Sequence, residues 1–234
     1  DGYANFAIAD PPRKLVLIAG DGEPGSLKGC SASFRGHVVP GQGFGDRLVA
    51  GSRGEECRMA LHLAGIDFED VRIKSADWPA LKAETPFGSL PVLELPGKPP
   101  LAQSNAILNL IGRRHNLHPA DDVAQAHHEA LMEYVEDLRH TVGPTLRIAD
   151  EAQKKAKREE IAQDFLPAWG ANVERQLADG PFVGGDKLNV VDIKLYMVVR
   201  WFASGTVDHV PATVFDAFPK LKDRKSTRLN SSHT

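Results

Sequence analysis

Few side chains in this sequence are placed for nucleophilic or metal chemistry. There are two cysteines, Cys30 and Cys57, too few for a disulfide framework or a cysteine-based zinc site. A thiol turns nucleophilic where its pKa is lowered, as at a free helix N-terminus. Cys57 falls instead in the repeat Cys57, Ala60, Leu61, Ala64, the apolar stripe of one helix, and reads as a buried, inert thiol. His127, His128 and His140 share a helical stretch, but with no i, i+4 pair and carboxylate set for a metal they read as a solvated face. No metal is expected. Ser104, after Gln103, stands at a helix start, where unpaired N–H groups and the positive dipole end attract a carboxylate. A plain N-cap serine fits the same position, and one residue can be both.

The elements that must position these groups follow from periodicity. KLVLIA (14–19), bounded by Gly20, Asp21 and Gly22, fits a buried strand. From Gly20 to Gly51 the chain carries nine of its 21 glycines, with Pro24 and Pro40. Such a segment has too little apolar side chain to offset its ordering entropy and reads as a structureless anomaly. A helix follows from Gly54 and is stopped by Gly65; FEDVRI (68–73) alternates as a strand, and Trp78 to Lys82 is a helical turn. PVLEL (91–95) is a strand and PGKPP (96–100) a turn. Leu101 and Ala102 lead into a helix from about Ser104 with Ala106, Ile107, Leu110 and Ile111 inward. The first half is therefore an α/β unit.

The second half has no convincing strand. Residues 120–142, 150–177 and 190–202 are helical in pattern, and the last (VVDIKLYMVVRWF) is apolar nearly all round, as at the centre of a bundle. Asn189 and Asp192 allow a variant of the capping box at its start.

Composition excludes some partners. The 234 residues are 42% hydrophobic and 25% charged, with 31 acidic and 28 basic side chains and a formal net charge of -3. Nucleic acid and anionic membrane surfaces select basic patches, so neither is expected as a partner. No apolar run approaches the roughly 18 residues that span a bilayer, and DGYANFAIADPPRK has no secretory-signal pattern. The chain is expected to be soluble, in a reducing compartment, and without its native start, since it lacks an initiator Met.

Four stretches carry a resemblance: RGEECRMALHLAGIDFEDVRI (53–73), ADWPALKAETPFGSLPVLEL (76–95), AQSNAILNLIG (102–112) and FVGGDKLNVVDIKLY (182–196). In order and spacing they resemble cytosolic glutathione S-transferases, most closely the sigma class, over about residues 53–224. The resemblance implies a thioredoxin-like α/β domain followed by an all-α domain. Residues 1–13 would be an extension, 14–100 the glutathione-binding domain with the insertion at about 20–50, 101–119 its last helix and linker, and 120–224 the helical domain. The tail KSTRLNSSHT (225–234) resembles a translated library adapter, and the 20–50 segment unspliced or misassembled coding sequence.

The resemblance also implies a site. Leu90 and Pro91 match the family's cis-proline pair, whose exposed backbone holds the cysteinyl group of glutathione in an antiparallel pairing. Gln103 and Ser104 match the residues that hold the γ-glutamyl end. Trp78 and Lys82 match contacts to the glycyl end, where the lysine would meet a carboxylate and the indole N–H would donate. Ser89 stands where sigma relatives often carry Lys or Gln. Asp137 falls where the family supplies an acid to the glutathione of the neighbouring subunit, which implies a homodimer.

The thiol-activating hydroxyl departs from the family pattern. Tyr3, Tyr134 and Tyr196 are the only tyrosines, none at the end of the first strand. Counting back from Arg53 by the sigma spacing reaches Arg47, and counting along KLVLIA from its start reaches Leu17; neither can donate a hydroxyl. Ser52 is the remaining candidate, or else a polar loop residue beside Gly51, and Arg53 matches an arginine near the sulfur. The implied activity is conjugation of the glutathione thiolate to small apolar electrophiles in the cytoplasm. The competing expectations are a glutathione-binding protein with little turnover, or a glutathione-dependent isomerase or peroxidase. The pocket for the electrophile is expected from the first-strand loop, the helix around Val135 to Val142 and the C-terminal segment.

Overall fold

The computed structural model describes residues 15–20, 33–34, 53–74 and 76–223. Its sheet has five strands: β1 (Leu15–Gly20), β2 (Ser33–Phe34), β3 (Phe68–Ile73), β4 (Val92–Glu94) and β5 (Leu101–Ala102). β3 runs parallel to β1, with Leu15 opposite Phe68 and Gly20 opposite Ile73. Parallel neighbours need a crossover, and the chain between them includes helix α1 (Arg53–Leu63). Gly65, at φ 67°, takes the left-handed turn that ends α1 and returns the chain to β3. β4 lies antiparallel on β1, and β5 antiparallel on β4.

Successive residues of β4 face opposite ways, as the pleat requires. Leu93 joins the main core, while Val92 joins a smaller cluster with Ile73, Trp78, Leu90 and Ala102. That smaller cluster carries α2 (Trp78–Leu81), continued by a 3₁₀ turn over Lys82–Glu84. Helices α1 and α3 (Ser104–Arg114) contribute Cys57, Ala60, Leu61, Ile107, Leu108 and Ile111 to the main core.

The helical half comprises α4 (Asp122–Val142), α5 (Glu151–Glu160), α6 (Leu166–Gln176), α7 (Val190–Ala203) and the short α8 (Pro219–Asp223). Asp121 and Asp150 cap α4 and α5, their carboxylates accepting from Ala124 and Gln153 N–H groups, each at 2.8 Å. At the start of α7, Asp192 accepts from the Asn189 N–H at 2.9 Å and from the Val183 N–H at 2.7 Å. Every side chain from Val190 to Val199 is buried, so α7 is the axis of the bundle. No helix among the described residues is long and apolar enough to cross a membrane.

Several expectations are corrected. The glycine-rich stretch contains β2, which pairs with the end of β1 through Ala19 and Phe34; the rest of it, Cys30 and the 225–234 tail lie outside the described residues. Leu101 and Ala102 are a strand, because their backbone finds an edge on β4. In α3, Ala106 is exposed and Leu110 half-buried, with Leu108 inward in their place. The 150–177 stretch is two helices joined through a π turn at Ile161–Phe165. His127 and His140 are exposed, but His128 is buried and stacks on His118, with ring centroids 6.3 Å apart. Burial pushes both imidazoles below their ordinary pKa.

The two halves share one core, and Gly112 marks a close approach between them. A methyl group there would lie 2.8 Å from His118 Cδ2, 3.1 Å from the Leu117 carbonyl oxygen and 3.2 Å from Val190 Cγ2. Gly112→Ala is therefore expected to lose about 1–3 kcal/mol of stability by overpacking. Denaturant midpoints of both proteins check this; an unchanged midpoint would mean that α3 and α7 separate freely.

Candidate functional site

β4 and β5 build the first part of the site by their register. Val92 pairs with Ala102 and Leu93 with Leu101. The Leu90–Pro91 segment enters β4 and the Gln103–Ser104 segment leaves β5 at the same end of that ladder. Two sequence-distant pairs thus meet at one end of the sheet. The Leu90–Pro91 peptide bond is cis, and both residues are buried.

Ser104 is the first residue of α3 and is buried, so a hydroxyl and the unpaired N–H groups of an eleven-residue helix share one small region. Gln103, the cap residue, holds φ 72° and ψ 115° while its carbonyl accepts from the Ile107 N–H at 3.0 Å. A residue with a Cβ rarely occupies that region, and such strain gathers where a side chain must be aimed. The Gln103 side chain is exposed.

Trp78 packs its ring in the small cluster with Leu90 and Ala102 at 8% exposure. Lys82 is exposed, and its stem runs over the Gly88 backbone, where a Cβ would come within 3.2 Å of Lys82 Cε. Ser89, the next residue, is half-buried. Trp78 and Leu90 therefore share one cluster with Ala102; Ser89, Pro91, Gln103 and Ser104 adjoin its members along the chain, and the Lys82 stem lies at Gly88. Asp137 is not among them: it is exposed on α4. Ser52 lies outside the described residues. The expected pocket wall on α4 is also corrected, because Val135, Leu138 and Val142 are all within 1% of full burial in the main core.

Arg53 opens α1 and reaches the helical half. Its Nε and Nη2 lie 2.7 and 2.5 Å from Glu136 Oε2. Glu136 Oε1 accepts from Lys194 Nζ at 2.5 Å and from Arg139 Nη1 at 3.0 Å. Lys194 also reaches Glu56 Oε2 at 3.2 Å, and Arg139 pairs with Glu56. Burial alone would push the Glu136 carboxyl up, but Lys194, Arg139 and Arg53 outweigh it and hold the group at about 2. A second set, the buried Glu55, Arg58 and Asp70 with the half-buried Arg72, ties α1 to β3.

Sequence reasoning missed both sets. The expectation for α1 was a single apolar stripe, yet Glu55, Glu56 and Arg58 are buried as well, since neighbours on β3, α4 and α7 supply opposite charges. The available signal was Lys194, a cation in the first half of a nearly all-apolar helix where every neighbouring side chain is buried. Cys57 is buried as expected; burial, and then Glu56, push its thiol well above the ordinary value, so it carries no thiolate.

The family models for the glutathione S-transferase N-terminal domain and C-terminal domain match residues 48–113 and 136–230. Glutathione S-transferase 1 of Ascaris suum is 38% identical over 115 residues, covering 49% of this chain and 55% of that protein. Probable glutathione S-transferase 7 of Caenorhabditis elegans is 33% identical over 178 residues, covering 72% and 82%. The crystal structure of the Ascaris lumbricoides glutathione S-transferase superposes with a TM-score of 0.68 at 25% identity, covering 91% of this chain and 89% of that one. The chain belongs to the glutathione S-transferase family. Its fold is that family's thioredoxin-like domain joined to an all-helical one.

The Glu136 cluster has a pH signature. A carboxyl held at about 2 when folded, against an ordinary 4.5, stabilises the fold above the unfolded value. That contribution fades as pH falls from about 4.5 through 2, and is worth on the order of 3 kcal/mol. Glu136→Gln is expected to be less stable at neutral pH by about 3–5 kcal/mol, since it strands buried cations. The gap to wild type should narrow on acidification through that window, as urea midpoints at several pH values would register. A gap independent of pH would contradict the ion pairing.

Proposed function

We propose that this protein is a sigma-like glutathione transferase that conjugates the glutathione thiolate to small apolar electrophiles. The observation that supports it is the β4–β5 pairing, at one end of which lie both the buried Leu90–Pro91 segment and, after the left-handed Gln103, the helix start at Ser104.

In this reading the Leu90 backbone pairs with the cysteinyl group of glutathione. The γ-glutamyl carboxylate meets the Ser104 hydroxyl and the N–H groups of α3, with Gln103 aimed beside it. The glycyl carboxylate takes the Lys82 ammonium, the Trp78 indole N–H and a weaker contact from Ser89. Both ends are then fixed, so the sulfur comes to one place and attack on a bound electrophile is effectively unimolecular.

A free thiol titrates near 8.5 and is mostly protonated at neutral pH. The Ser52 hydroxyl donates to the sulfur and favours the thiolate, helped by the Arg53 charge and the positive end of α1. The protein works as a homodimer in the cytoplasm. Asp137, exposed on α4, contacts the glutathione ammonium of the neighbouring subunit. Phe87, 68% exposed in the loop before Leu90, is an apolar group that a subunit contact would cover.

Conjugation of a chloronitroarene tests the assignment. Wild type should turn over, and Ser52→Ala should bind glutathione with kcat/KM lower by about 10²–10³-fold, as for loss of a preorganised donor. Ser104→Ala should instead weaken glutathione binding by about tenfold. Binding without turnover in wild type and Ser52→Ala alike would overturn the transferase in favour of a glutathione binder.

A further inference from the structure

Lys194 is 0% exposed in the middle of α7, and its ammonium sits between two carboxylates from different elements, Glu56 on α1 and Glu136 on α4. From the packing of α7 alone an aliphatic side chain would suffice, because replacing a buried ion pair by apolar groups is often neutral for stability. The geometry of Glu136 shows what the charge adds. Its Oε1 is taken by Lys194 and Arg139, which turns Oε2 toward Arg53. Arg53 is one-third exposed, on a long side chain, and Glu136 is the only acid within ion-pair distance of it among the described residues.

From this arrangement we infer that Lys194 is a positioning residue of the transferase centre: through Glu136 it holds the Arg53 guanidinium at the first turn of α1. The inference rests on the glutathione reading above only in assigning that turn to the sulfur. The facing charged groups are Arg53 and Glu56 on α1, Glu136 and Arg139 on α4, and Lys194 on α7, with the neutral Cys57 thiol beside them. Three cations against two carboxylates leave one positive charge in excess, and the only partly exposed member is Arg53. A charge beside the proposed thiol site is thus oriented by a residue of the other domain, with no contact between Lys194 and the ligand.

Two variants separate position from charge. Lys194→Met removes the ammonium; the double variant Lys194→Met with Glu56→Gln removes one charge of each sign, leaves the cluster's net charge unchanged and avoids stranding a buried carboxylate if the single variant fails to fold. Nitrogen-edited NMR of arginine side chains, with Arg53→Lys to assign the signal, reports the Arg53 Nε–H. It should be slow to exchange in wild type and lost in the variants. The absorbance of bound glutathione thiolate against pH should show a midpoint raised by about one unit in both, with kcat/KM at neutral pH lower by up to about tenfold. An Arg53 signal unchanged in the double variant overturns the inference, as does a midpoint shift confined to the single variant, which would be bulk electrostatics. If wild type binds no glutathione, the functional reading falls, and the Arg53 signal alone still decides whether Lys194 positions it.

Discussion

The structure depends on how a few buried charges are matched where its two domains meet. Glu136 accepts from Arg53, Arg139 and Lys194, which come from three helices and both halves of the chain. An ion taken from water loses several kcal/mol of solvation, so each of these groups is tolerable only because the others face it. The consequence is geometric as much as energetic. Directional hydrogen bonds set the rotation of α1 against α4 and α7 more tightly than aliphatic contacts would, and α1 is the helix whose first turn borders the proposed sulfur position.

The remaining part of the site is positioned by the sheet. β4 and β5 are only three and two residues long, yet their pairing joins a buried Leu90–Pro91 segment to the start of α3. Gln103 shows the constraint most directly. Its backbone is held in a conformation that a residue with a Cβ rarely adopts, between a strand on one side and a helix on the other. Trp78 packs in one small cluster with Leu90 and Ala102.

Much of this was legible before any coordinates. The apolar repeat over Cys57, Ala60 and Leu61, the alternation in FEDVRI and the capping aspartate at 192 each rest on contacts within a few residues, and each appears where the pattern puts it. The motif residues from Trp78 to Ser104 were named from the family resemblance; Trp78 and Leu90 share a cluster with Ala102, which directly precedes Gln103. What failed has a common cause. Ala106 and Leu110 share a helical stripe with Ile107 and Ile111, but how far a stripe is buried depends on what packs against it, and here Leu108 faces the core instead. His128 looked like a surface group beside His127, and burial against His118 separates them.

The amino-acid sequence by itself therefore determined most of the helices, the longer strands, the two-domain order and the family, because hydrogen bonding in helices and turns, the alternation of apolar side chains and the order of short motifs are properties of the chain itself. Only the tertiary structure decided which charges leave water. Arg53 and Glu136 lie 83 residues apart, and Glu56 and Lys194 lie 138 apart. No local pattern couples groups so distant; their pairing follows from the packing of α1, α4 and α7, where burial strengthens every electrostatic contact and penalises every unmatched one.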